Sequence, residues 1–75
     1  MTGKTILVID DDETIRESLS VFIEGLGYRT ETKKDTTSAK KWLSANKPDL
    51  ILLDVMLPDG DGIGFCHWIS SQENI

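Results

Sequence analysis

Asp10, Asp11 and Asp12 close the apolar run Ile6-Leu7-Val8-Ile9, and Asp54 closes a second run, Leu50-Ile51-Leu52-Leu53. Beyond Asp54 the chain passes through Pro58 into two Asp-Gly pairs, Asp59-Gly60 and Asp61-Gly62. Taken singly, each acid has a plain structural explanation. Asp12 reads as a helix N-cap, and Asp54 as a turn residue at a strand end. Taken together, they put acids at the ends of two runs that both read as buried strands. If those strands are neighbours, their ends lie about 5 Å apart and three or four carboxylates converge. Bare carboxylates so close repel one another and destabilise the fold. A hard divalent cation relieves that repulsion. Mg²⁺ takes one or two carboxylates and fills its shell with waters and phosphate oxygens. A carboxylate beside such a cation is placed as a nucleophile toward a phosphoryl group, forming an aspartyl phosphate while the developing charge is neutralised.

The elements that must position these acids alternate in type. Residues 4–10, KTILVID, read as a parallel strand buried on both faces. Residues 13–27 place Ile15, Leu19, Phe22, Ile23 and Leu26 on one helical stripe. Thr14 and Glu17 match a capping box for that helix, and Asp12 is an equally good N-cap. Gly27 is suited to close it in the left-handed conformation. Residues 28–32, YRTET, read as an edge strand with Arg29 and Glu31 on one side. Residues 36–46 form a weaker helix with Ala39, Trp42 and Leu43 as apolar contacts, broken at Lys47-Pro48. Residues 49–54, DLILLD, read as a second fully buried strand. A third helix over 62–71 carries Ile63, Cys66 and Ile69 on one face, leaving Trp68 off it, exposed or covering an association surface. The order β-α-β-α-β-α predicts an α/β unit with a parallel sheet and right-handed crossovers. In such sheets functional groups gather beyond the carboxyl ends of the strands, where these acids stand.

Composition narrows the partners. With 75 residues, 39% of them hydrophobic and 28% charged, the chain reads as a soluble globular domain or part of one. So short a chain buries little apolar surface and is marginal unless paired. Cys66 is the one cysteine, which leaves no internal disulfide and no cysteine cage for a metal, in keeping with a cytoplasmic location. It reads as packing, and His67 has no Asp or Ser partner to suggest a triad. No apolar stretch approaches the roughly 20 residues of a spanning helix. The net charge of −5 argues against a grip on nucleic acid and suits cations or basic partner surfaces. The first strand–helix loop is Asp10-Asp11-Asp12-Glu13, not glycine-rich, so a dinucleotide site is disfavoured. An aspartate-nucleophile phosphatase is disfavoured too, because Met56 stands where such enzymes carry a second aspartate. The chain therefore does not read as an enzyme.

"ILVIDDDETIR" followed by "PDLILLDVMLPDGDG" closely resembles the receiver domain of two-component response regulators. The resemblance runs through essentially the whole chain. It implies that Asp54 accepts a phosphoryl group from a histidine kinase. It implies that Asp10 and Asp11 hold Mg²⁺ with Asp54, Asp11 directly and Asp10 partly through water, while Met56 donates a backbone carbonyl. The Met56 side chain then stands where dephosphorylation is tuned, and Pro58 and Gly62 match the geometry of the motif. Asp12, Asp59 and Asp61 are given no part in holding the metal. The start of the first helix and the loops around the aspartates become the kinase-facing surface.

The resemblance also implies a flavodoxin-like sheet, strand order 2-1-3-4-5 in full. The sequence stops at SSQENI, about where a fourth strand begins, so residues 1–75 are expected to form a truncated βαβαβα unit with three parallel strands in the order 2-1-3. The hydroxyl and lysine that contact the phosphoryl group in the family belong to the later units, and Lys40, Lys41 and Lys47 do not replace them. Strand three, with Leu50 to Leu53, then becomes an exposed edge. It is expected to drive homo-oligomerisation, by strand pairing around a twofold axis or by helix exchange. The alternative to a signalling receiver is a half-domain that is not phosphorylated and self-associates or complements a missing C-terminal half.

Overall fold

The computed structural model describes residues 3–53, 64, 67–69 and 71. Along these residues run β1 (Thr5–Ile9), α1 (Glu13–Gly25), β2 (Arg29–Lys33), α2 (Thr36–Leu43) and β3 (Leu50–Leu53). The strands form one parallel sheet in the order β2-β1-β3, as expected from the sequence. Gly64 and His67, Trp68 and Ile69 are helical.

β1 is central because its side chains are apolar on both faces and both faces are covered. Ile6, Leu7, Val8 and Ile9 are all buried, the last three almost completely. Leu7 and Ile9 pack with Ala39 and Leu43 of α2 on one face. Ile6 and Val8 pack with Ile23 of α1 on the other, with Leu19 and Tyr28 against them. Full burial of such a side chain contributes about 1.5–3 kcal/mol, so this short strand is the chief source of the core.

Local signals set the helix ends. Asp12 is the N-cap of α1, its carboxylate accepting from the Ile15 N–H at 3.1 Å. The Thr14–Glu17 box is therefore not the start of the helix. At the other end Gly27, at φ +97°, donates to the Glu24 carbonyl, and Tyr28 donates to that of Ile23. This paired pattern closes the helix through a left-handed residue, a conformation glycine takes without steric cost. α2 begins on Asp35, which accepts from the Ser38 N–H at 2.8 Å. The entries to the strands are tied as well. Asp49 accepts from the Thr5 N–H through Oδ2 and donates its own N–H to the Thr5 carbonyl, both at 2.8 Å.

Three expectations from the sequence are corrected. β3 is not buried on both faces: Ile51 and Leu53 pack toward α2, but Leu50 is 52% and Leu52 36% exposed. The α1 stripe is also not buried as a whole. Ile23 is buried and Leu19 partly so, while Ile15, Phe22 and Leu26 are exposed. Both corrections have one cause. α1 lies over β1 and β2, where Ser20 and Thr30 share a 2.6 Å hydrogen bond between hydroxyls, and leaves that face of β3 uncovered. The third correction is Trp68. It is half-buried and packs with Ile69 against the α2-side core, with the Lys40 Nζ 5.2 Å from the centre of its ring. A tryptophan one position off a helical stripe is wide enough to reach the core beside it. The remaining residues of that predicted stripe, Ile63 and Cys66, lie outside the described residues.

Candidate functional site

The end of β1 is held on three sides at Asp10. Its N–H donates to the carbonyl of Lys33, the last residue of β2, at 3.1 Å. Its own carbonyl accepts from Nη1 of Arg16 at 2.7 Å, a short charge-assisted bond. Its carboxylate Oδ1 accepts from the Asp12 N–H at 2.9 Å. Asp12 in turn caps α1, so strand end, loop and helix start form one hydrogen-bonded unit. Asp11 lies between the two anchored residues and is exposed.

β3 runs beside β1 with Ile9 opposite Leu53. The two runs that precede the acids are therefore adjacent, parallel and in step, as the sequence reading requires. Asp54 follows Leu53 in the chain, but Asp54, Met56, Pro58 and Gly62 lie outside the described residues. Among the described residues no three acidic, histidine or cysteine side chains close on one metal position. The chemistry of the donors at the β1 end nevertheless suits a hard cation, because Asp10 and Asp11 offer carboxylate oxygens only. An open groove of about 570 Å³ reaches the site from the uncovered face. Asp10 lies at its rim, with Ile15 and Leu19 on one wall and Leu52 and Leu53 on the other.

Sequence reasoning missed Arg16. Its signal is its place four residues after the N-cap, one turn into α1 on the inward side of the helix, where an apolar residue is expected. It missed Asp35 as well, although Asp followed three residues later by Ser38 is a capping pattern.

Residues 6–75 match the family model of the response regulator receiver domain. The chain belongs to that family. This receiver chain is 46% identical over 71 residues to the alkaline phosphatase synthesis transcriptional regulatory protein PhoP of Bacillus subtilis, covering 95% of the chain and 30% of that protein. It is 42% identical over 73 residues to the phosphate regulon transcriptional regulatory protein PhoB of Pseudomonas aeruginosa, covering 97% of the chain and 32% of that protein. The chemotaxis response regulator CheY4 of Vibrio cholerae superposes with a TM-score of 0.93 at 29% identity, over 97% of this chain and 61% of that one. The receiver chain thus spans about a third of these curated relatives and about three fifths of the solved structure. Membership, with this superposition, establishes its flavodoxin-like fold. No helix among the described residues is long and apolar enough to cross a membrane.

Proposed function

We propose that this chain is the first part of a receiver domain, residues 1–75, and that Asp54 is its phosphoacceptor. A histidine kinase is the donor. A carboxylate oxygen of Asp54 attacks phosphorus, the bond from phosphorus to the imidazole nitrogen breaks, and the nitrogen takes up a proton as the kinase histidine returns to its neutral form. Asp10, Asp11 and Asp54, with the Met56 backbone carbonyl, are the ligands proposed for Mg²⁺, which supplies neutralisation of charge on the phosphoryl oxygens. Pro58 and Gly62 are proposed only as positions that match the family's motif. The proposed setting is the cytoplasm, with no nucleic acid or membrane contact from this segment.

One observation carries this reading. The parallel register of Ile9 with Leu53 brings the ends of β1 and β3 side by side, directly before the two acidic positions. The hydrogen bonds at Asp10 add support, because they fix one member of the pair without using Asp11. The test is intact mass after incubation with Mg²⁺ and a small-molecule phosphodonor, beside an Asp54→Asn control. A single phosphoryl adduct absent from the control is expected. No adduct on a chain shown to be folded removes acceptor chemistry from these 75 residues.

A second reading, self-association, rests on a different observation. β3 ends the sheet among the described residues, and its α1-side face presents Leu50 and Leu52 to solvent, Leu52 in the same groove as Ile15 of α1. Pairing of two β3 edges, or complementation by a C-terminal half of a receiver fold, covers that surface. Sedimentation of the chain alone, across a concentration series, separates a dimer from a monomer.

A further inference from the structure

We propose that Arg16 is a positioning residue for the cation site, acting through the backbone of Asp10. This inference rests on the reading of Asp10 and Asp11 as Mg²⁺ ligands and deepens it. The guanidinium Nη1 donates to the Asp10 carbonyl at 2.7 Å, and both residues are half-buried. Arg16 is itself fixed from below: its N–H donates to the Asp12 carbonyl at 3.0 Å within the first turn of α1. Asp12 closes the circuit, since its N–H donates to the Asp10 carboxylate. The guanidinium therefore ties the peptide that joins Asp10 to Asp11 to the start of the helix. That peptide sets the direction in which the two acidic side chains leave the strand.

Charge alone predicts the opposite role. A guanidinium beside four consecutive acids, Asp10 to Glu13, repels an incoming cation. If Arg16 acts only as a charge, removing it tightens Mg²⁺ binding. If it holds the ligands in place, removing it weakens binding in spite of the charge relieved. Loss of an outer group that orients a ligand costs about tenfold or more in metal affinity. The two accounts differ in sign, which makes the residue a clean subject for measurement.

The experiment is a titration of the chain with Mg²⁺ alone, read by the amide NMR shifts of Asp10, Asp11 and Asp12. It is run on the wild type, Arg16→Gln and Arg16→Lys, with a circular dichroism spectrum of each. Gln is neutral and too short to reach the carbonyl, whereas Lys keeps a charge and a donor. Positioning predicts a dissociation constant raised about tenfold in R16Q and recovered toward wild type in R16K. An unchanged or tighter constant in folded R16Q overturns the proposal. Should R16Q fail to fold, the wild type decides: the Arg16 side-chain nitrogen signals shift on saturation with Mg²⁺ if the bond to Asp10 tightens, and their indifference overturns the proposal. If the wild type shows no Mg²⁺-dependent shift, the cation site falls, and the role of Arg16 with it. Binding by the wild type with no loss in R16Q removes Arg16 alone.

Discussion

The two faces of the sheet are built from the same kinds of residue and end in different states. On the α2 side, Leu7, Ile9, Ala39 and Leu43 are buried, and Trp42, Ile51, Leu53, Trp68 and Ile69 close around them. On the α1 side, Ile6, Val8 and Ile23 are buried, but the cover stops at β1. Leu50 and Leu52 stand open there, and so do Ile15, Phe22 and Leu26 on the flank of α1. The apolar effect is non-directional and depends on area removed from water. Equal apolar content on two faces therefore gives unequal stabilisation when only one is covered. The acids at the end of β1 are positioned at the junction of these two regimes, with one wall of their groove formed by the uncovered side.

The largest test of this contrast is a pair of truncations, Leu7→Ala and Leu52→Ala. Leu7 has no exposed surface, so its loss is expected to cost about 2–5 kcal/mol. In so small a chain that is most of the available stability. Leu52→Ala is expected to cost under about 1 kcal/mol, in line with its exposure. Urea unfolding followed by circular dichroism measures both. Equal costs mean that the α1-side face is covered in solution, and the contrast fails.

A second test sharpens what the open face does. Leu52→Lys places a charge on the edge strand, where lysine opposes strand pairing. Monomer stability is expected to stay within about 1 kcal/mol of wild type, while any self-association shifts toward monomer in sedimentation. An association that survives this change does not run through β3.

How much of this was legible in sequence depends on what each residue type reports. The acidic ends of the two apolar runs and the left-handed Gly27 were readable from local chemistry, whereas the order of the strands came only from the resemblance to receiver domains. The cover over β3 was not readable. Four consecutive apolar residues say that a strand can be buried, but not which neighbour arrives to bury it. Phe22 and Leu26 misled in the same way, because a helical stripe marks an apolar flank without fixing the angle at which the helix lies on the sheet. Arg16 stands out by its place on the inward side of α1, but the sequence names no partner for it there. Its partner is a backbone carbonyl six residues earlier, which leaves no mark in side-chain patterning. At Asp54, Met56, Pro58 and Gly62 the sequence speaks alone.

A third test concerns the turn that carries α1 onto β2. Gly27→Ala meets no atom within 4 Å, so any cost comes from the backbone at φ +97° rather than from a clash. About 1 kcal/mol is expected. Since α1 covers only part of its face, a shift in its seating should appear in the amide signals of Asp10 to Asp12 as well as in stability. A loss of stability with those signals unmoved shows that the helix C-terminus and the acidic loop are independent.

The smallest expected effect lies on the closed face. Lys40 holds its ammonium 5.2 Å from the centre of the Trp68 ring, where the negative face of the indole attracts a cation. Lys40 is exposed, and water screens the interaction, so Lys40→Met is expected to cost about 0.5 kcal/mol. Methionine keeps an unbranched apolar stem one atom shorter than lysine, which removes the charge with little change in the packing. The tryptophan fluorescence should change more clearly than the stability, because the charge beside the indole is removed while its core contacts remain. A cost approaching that of Leu7→Ala would mean that Lys40 helps to hold the third helical segment against the sheet, and that the closed face depends on this contact as well as on apolar burial.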